Sequence, residues 1–151
     1  MSNRIRNKRK REPIVQLGDS SHLHMIGYNV APDAGIVCLP VSAAMKLLFK
    51  IFDKWQVARS TQVALLRVSP STLTRYIKGG IPRRRKTIEC IEDILVTELM
   101  LSVLFPGQKH NVQKWLVSQN RAFDNMTPIE YAASNGTMKI RKYLESRVYL
   151  G

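Results

Sequence analysis

Residues 95–105 read LVTELMLSVLF and are apolar almost all the way round a helix, until Pro106-Gly107 stops them. A helix that is apolar on every side has to be buried on every side, so several other apolar faces must cover it. Ile88, Ile91, Leu95, Leu99 and Ser102 mark one face of the same helix, and Thr87 is placed to cap its start. Cover from within the chain and cover by a dimer or partner interface both meet the requirement. The chain has 151 residues, 44% of them hydrophobic, which suffices for one ordinary domain or two very small ones and excludes a wholly disordered chain. No run reaches the roughly 18 apolar residues of a membrane span. The basic N-terminus is followed by no apolar segment of the signal-peptide kind. Two cysteines, Cys38 and Cys90, make no disulfide framework. A cytoplasmic protein with free thiols and no membrane contact is expected.

Apolar faces of the right kind lie on both sides of that segment. Val41, Met45, Leu48, Phe52 and Trp55 step by helical spacing onto one face, with Lys46, Lys50 and Lys54 on another, either solvated or contacting phosphates. A short helix is expected over 60–66 with Ser60 as its cap. Downstream, residues 108–118 form a helix that turns Val112, Trp115 and Leu116 inward. Thr127, Pro128 and Glu130 make a capping box for the next helix, which Asn135-Gly136 ends. Thr137 caps a last helix packed through Ile140, Tyr143, Leu144 and Val148. The fold class expected is all-α. Residues 14–40 show no sustained period and read as a loop with a short strand near residues 36–39.

Charge divides the chain further. The total is 24 basic against 11 acidic residues, +13. Residues 1–35 carry 6 and 3, residues 36–86 carry 11 and 1, and residues 87–151 carry 7 and 7. The basic middle suits a polyanion and the neutral end a different partner. Six of the first thirteen residues are Arg or Lys, an arm expected to be flexible that serves either solubility or contact with DNA phosphates. Within the middle, Ser69 can cap a helix, Pro70 takes its first position, and Gly79 suits a left-handed stop. Leu73 and Ile77 face inward; Ser71, Thr72, Thr74, Arg75 and Lys78 remain to meet phosphates and base edges. Gln62, Val68-Ser69 and Thr72-Leu73-Thr74-Arg75 resemble a common bacterial helix-turn-helix pattern. Arg67 stands where that turn usually carries Gly, and Val63 where a small residue eases the helix crossing. An ordinary helical hairpin with a hydroxyl-rich face is the alternative. Arg83, Arg84 and Arg85, with Lys86, follow at once, as a phosphate clamp or a solvated linker.

No catalytic, metal or cofactor site is expected. His22, His24 and His110 have no metal-ligand spacing with the cysteines, and Gly79-Gly80 is not followed by the Lys-Ser/Thr of a phosphate loop. The carboxylates are scattered, and an enzyme is not expected.

Two family resemblances compete at the C-terminus. TPIEYAASNG followed by KIRKYL resembles a single ankyrin repeat, but at least three are needed to bury their faces and no 33-residue echo lies upstream. The second covers roughly residues 41–151. Leu104-Phe105-Pro106, Trp115-Leu116, Asn120, Ala122-Phe123, Thr127-Pro128, Gly136, Arg141, Tyr143-Leu144 and Gly151, in that order, resemble the toxin-binding domain of Xre/MbcA/ParS-type antitoxins. That family, of the RES-Xre type II toxin–antitoxin systems, also places a helix-turn-helix upstream and a Pro-Arg link like Ile81-Pro82-Arg83 between the two. Where it often has Gly-Gly after the Phe, this chain has Asp124-Asn125.

The resemblance implies an extension over 1–40, a helix-turn-helix domain over 41–86, and a compact helical domain over 87–151 that dimerises and binds toxin. It implies as partners a RES-domain toxin that consumes NAD, whose entrance the antitoxin occludes, and the operator DNA of its own operon, bound as a homodimeric repressor. The DNA-binding residues are then Ser69, Ser71, Thr72, Thr74, Arg75, Lys78, Arg83, Arg84 and Arg85. The toxin-facing ones are Arg141, Tyr143, Arg147, Tyr149, Leu150 and Gly151. A stand-alone helix-turn-helix repressor, whose C-terminal domain only dimerises, is the alternative. An interaction module without DNA binding fits the basic middle poorly.

Overall fold

The computed structural model describes residues 11–150. In chain order these form β1 (Ile14–Asp19), α1 (Ser20–Met25), β2 (Ile36–Pro40), α2 (Val41–Trp55), α3 (Arg59–Leu66), α4 (Pro70–Ile77), α5 (Arg85–Leu104), α6 (Lys109–Leu116), a 3-10 turn (Arg121–Phe123), α7 (Pro128–Asn135) and α8 (Met138–Tyr149). The described chain is mostly helical, with one small antiparallel sheet as the exception to an all-helical body. No described helix is long and apolar enough to cross a membrane.

The all-round apolar segment lies in α5, and the chain itself supplies its cover. Helices α2 and α8 and strand β1 pack along it. Ile91, Ile94, Leu95, Val96, Met100 and Leu101 are buried, and the cover thins only at the end, where Leu104 is 38% exposed. Helix α2 meets it through Val41, Met45, Leu48, Phe52 and Trp55, all buried as their spacing requires. One hydrophobic core therefore runs from Val15 to Leu144.

Carboxylates on the buried helix need partners, because burying an unpaired charge is costly. Three of them, Glu92, Asp93 and Glu98, take partners from elsewhere in the chain. Glu92 accepts from the Gln16 backbone N–H of β1 at 2.6 Å. Asp93 accepts from the Thr137 hydroxyl at 2.8 Å and from Arg141 at 3.2 Å. Glu98 pairs with Lys54 and accepts from the Trp55 indole at 2.6 Å. Lys54 is thereby tied inward, while Lys46 and Lys50 stay exposed.

In place of the flexible loop-like extension expected over residues 1–40, residues 11–40 are built into the body. Strand β2 forms where a short strand is expected, and β1 pairs with it in the register Ile14↔Pro40 to Asp19↔Ile36, with a bulge between Gln16 and Gly18. Val15 and Leu23 are buried, and Asp19 caps α1 through the Ser21 N–H at 2.8 Å. The Tyr28 hydroxyl donates to the Leu99 carbonyl at 2.9 Å. The Glu12 carboxylate caps the start of α2, accepting from the Ser42 N–H at 3.1 Å and its hydroxyl at 2.8 Å.

Three caps differ from expectation. Helix α3 starts one residue early, with Ala58 rather than Ser60 at its N-cap. Helix α5 starts at Arg85, so Thr87 is buried in its first turn instead of capping it. Thr137 does precede α8, but its hydroxyl is taken by Asp93 and caps nothing. The Thr127–Glu130 box forms as read, with both reciprocal bonds in place. Asp124 and Asn125 both adopt left-handed backbone (φ 57° and 63°), a conformation that Asp and Asn tolerate better than most other non-glycine residues.

Candidate nucleic-acid interface

Helices α3 and α4 meet through a turn whose pivot is Arg67, in left-handed conformation at φ 55°, ψ 44°. The conformation expected of a Gly at this place is thus adopted by an arginine. Backbone bonds from Arg67 N–H to Ala64 O (3.3 Å) and from Val68 N–H to Val63 O (3.2 Å) close the turn. Ser69 caps α4 by accepting from the Thr72 N–H at 3.2 Å, and Pro70 fills the first helical position.

Helix α4 anchors through Leu73 and Tyr76, not through Leu73 and Ile77 as the four-residue spacing suggests; Ile77 is 44% exposed. The chain doubles back over Arg75 beyond the helix end. A Cβ at Gly80 would lie 2.9 Å from the Arg75 carbonyl oxygen, so only glycine fits there.

This anchoring leaves Ser71, Thr74 and Arg75 exposed on α4 and Lys78 exposed at its C-cap, with Thr72 half-buried. Beside the start of α4 lies an open hollow of about 440 Å³. Four arginines line it, Arg67, Arg75, Arg83 and Arg84, together with Ser69 and Thr72; Tyr76, Ile81 and Thr87 contribute to the wall. No carboxylate lines it. The N-terminus of α4 contributes the positive end of its dipole to the same place. Positive charge, hydroxyl donors and the absence of acid are what phosphate oxygens require.

The nine sequence-predicted residues therefore divide. Ser69, Thr72, Arg75, Arg83 and Arg84 come together at the hollow. Ser71 and Thr74 on the exposed surface of α4, and Lys78 just past its end, lie outside it, and Thr74 returns its hydroxyl to the Pro70 carbonyl at 3.1 Å. Arg85 pairs with Glu89 at 3.2 Å along the exposed side of α5. Arg67 was not among the predicted residues. Its place in the turn is visible in the sequence, but its side chain also reaches toward the far end of the chain: a Cβ at Gly136 would lie 3.4 Å from its Nη2, and it lines a second hollow with Glu89 and Asp93.

The C-terminal candidates divide as well. Arg141 turns inward, 22% exposed, between Asp93 at 3.2 Å and Glu145 at 2.8 Å. Burial alone would lower its pKa; the Glu145 hydrogen bond and charge, followed by Asp93, more than offset this and raise it. Burial raises the Asp93 carboxyl above its ordinary value of 3.8, against the pull of Thr137 and Arg141. Tyr143 stacks on Trp115 at 6.3 Å and meets Phe123 edge-on at 5.1 Å, while Arg147 lies over its ring at 5.2 Å. Tyr149 is half-buried against His22 at 5.2 Å, and burial raises its phenol. Arg147 is exposed and Leu150 is 86% exposed; Gly151 lies outside the described residues. Among the described residues no three His, Cys, Asp or Glu side chains gather as a metal site would need. Cys38 is exposed and Cys90 buried, and burial raises the Cys90 thiol.

No family model matches the chain. It is similar, at 26% identity over 112 residues, to the uncharacterized protein y4oB of Sinorhizobium fredii (strain NBRC 101917 / NGR234), a match covering 71% of this chain and 85% of the relative.

Proposed function

We propose that this protein is a DNA-binding antitoxin, which represses its own operon through a helix-turn-helix formed by α3 and α4 and occludes a RES-type, NAD-consuming toxin with its C-terminal helices. The observation that carries the DNA half is the carboxylate-free hollow with four arginines beside the start of α4. In this reading Arg75 and Ser71 probe base edges in the major groove, and Arg67, Arg83 and Arg84 hold flanking phosphates. The toxin half rests on the resemblance of residues 104–151 to the antitoxin family. The exposed side chains Arg147 and Leu150 are the toxin contacts it favours, while Arg141 and Tyr143 hold the last helix in place. A homodimer presents two such helices to two half-sites about one helical turn apart.

The test is co-expression with the product of the adjacent gene. That product alone should arrest growth, and this chain should restore it. The double substitution Arg147→Glu with Leu150→Asp, at exposed positions, should lose the rescue with an unchanged melting temperature. A harmless neighbour, together with retained sequence-specific DNA binding, would leave the stand-alone repressor.

A further inference from the structure

Helix α4 presents Ile77 to solvent where its spacing predicts a buried side chain, and apolar surface lies on both sides of it. On one side is an open hollow of about 390 Å³ between α3 and α4, walled by Val63 and Leu73. On the other is a hollow of about 260 Å³ between the end of α4 and α2, walled by Met45, Phe49 and Ile81. Ile77 lines both and is the ridge between them. Val63, Phe49 and Ile81 are each only half-buried, so the hollows and their ridge make one apolar strip open to water.

Each hollow also carries one exposed cation, Arg59 in the first and Lys46 in the second. Arg59 donates to the Gln62 amide oxygen at 2.9 Å, which leaves its charge uncompensated. Among the described residues no carboxylate lines either hollow. Asp53, the one acid between residues 36 and 86, lies outside both, and Glu12 commits its carboxylate to Ser42 at the rim of the second.

Three occupants differ in how they meet apolar walls beside cations. Duplex phosphates pair with Arg59 and Lys46 but leave Val63, Phe49, Ile77 and Ile81 without apolar cover. A second copy of the chain brings a charge of +13 to a cationic surface, and its most acidic helix, α5, is buried in the core. A helix with apolar side chains along one face and carboxylates on its flanks satisfies walls and cations together.

We propose that the strip about Ile77 docks an acidic amphipathic helix of a second protein, whose apolar side chains seat in the hollows on either side of Ile77 and whose carboxylates meet Arg59 and Lys46. The proposal is independent of the DNA-binding reading, which rests on the arginine-lined hollow at the other flank of α4.

The probes are dye-labelled helical peptides of about 18 residues, some five turns long. The first carries Leu at i, i+3, i+4 and i+7 with Glu on the flanks. The second replaces each Leu by Ser, and the third replaces each Glu by Lys. Fluorescence anisotropy against the full chain at physiological salt should show the first binding roughly tenfold or more tighter than the other two. Ile77→Asp, at an exposed position, should weaken that binding about tenfold with an unchanged melting temperature. Lys46→Glu with Arg59→Glu should transfer the preference to the Lys peptide. Absence of binding by the Leu–Glu peptide overturns the proposal. Equal binding of the Leu and Ser peptides, or full affinity in the Ile77→Asp variant, also overturns it, since charge alone or another surface then holds the peptide. An Ile77→Asp variant that keeps the peptide and loses duplex binding assigns the strip to the DNA-facing surface instead.

Discussion

Arg67 shows how one residue can serve two demands that pull apart. Left-handed backbone costs a non-glycine residue about 1–2 kcal/mol, whereas glycine costs about 0.5–1 kcal/mol more chain entropy on folding. Arg67→Gly should therefore raise stability slightly, by under about 1 kcal/mol, while weakening DNA binding through the lost guanidinium. Paired urea melts and duplex titrations separate the two effects. Arg75→Ala should weaken binding to the specific duplex by about 1–3 kcal/mol and relax preference at one base pair, as gel shifts on single-base variants would show. Arg141 is different in kind, because Asp93 beneath it is only 6% exposed. Arg141→Ala leaves that carboxylate without its cation and should cost about 2 kcal/mol or more of stability, read from the urea midpoint. Lost toxin neutralisation in that variant would then report folding, not contact. Asp93 also gives a pH dependence of definite sign. Its folded pKa lies above 3.8, so the folded state holds a proton that the unfolded chain has released. This contribution is fully present below 3.8 and is lost as pH rises through the raised value. Asp93→Asn should flatten that part of the stability profile, and an identical profile in the two proteins would contradict the assignment.

At the scale of elements, local chemistry decided what could be read in advance. The capping box at Thr127 and the Ser69-Pro70 start of α4 are set within four residues, so their signals sit in the sequence. Thr127→Ala should accordingly cost about 1 kcal/mol, measurable as a lowered denaturation midpoint. The apolar face of α2 was legible for the same reason. Strand β1 was not, because IVQLGD carries a bulge at Leu17 and its pairing partner lies some twenty residues away across α1. The Tyr76-for-Ile77 exchange was equally hidden, since spacings of three and four both suit a helical face and only the neighbouring packing chooses between them. Of the candidate interface, the α4 residues and Arg83-Arg84 were legible from type and order. The place of Arg67 in the hollow and the inward turn of Arg141 were not, because each depends on a partner distant in sequence.

The whole molecule joins its basic middle to its neutral end through one core. Charge and the family resemblance together suggest that the chain could be divided near residue 40 or residue 86, yet α5 is covered by elements from both sides of each division. A chain beginning at Val41 loses Val15, Leu23, the Glu12 cap and the bond from Tyr28. It should melt well below the full protein or fail to fold by circular dichroism. The central claim, that the arginine-lined face beside α4 reads duplex DNA, is tested most directly by equilibrium titration. The full chain is titrated against the duplex upstream of its own gene and against a scrambled duplex of equal length, across a range of salt. The account predicts tighter binding to the upstream duplex by about a thousandfold or more, with affinity falling steeply as salt rises. Equal affinity for the two duplexes at every salt concentration, or no binding to either, would contradict it.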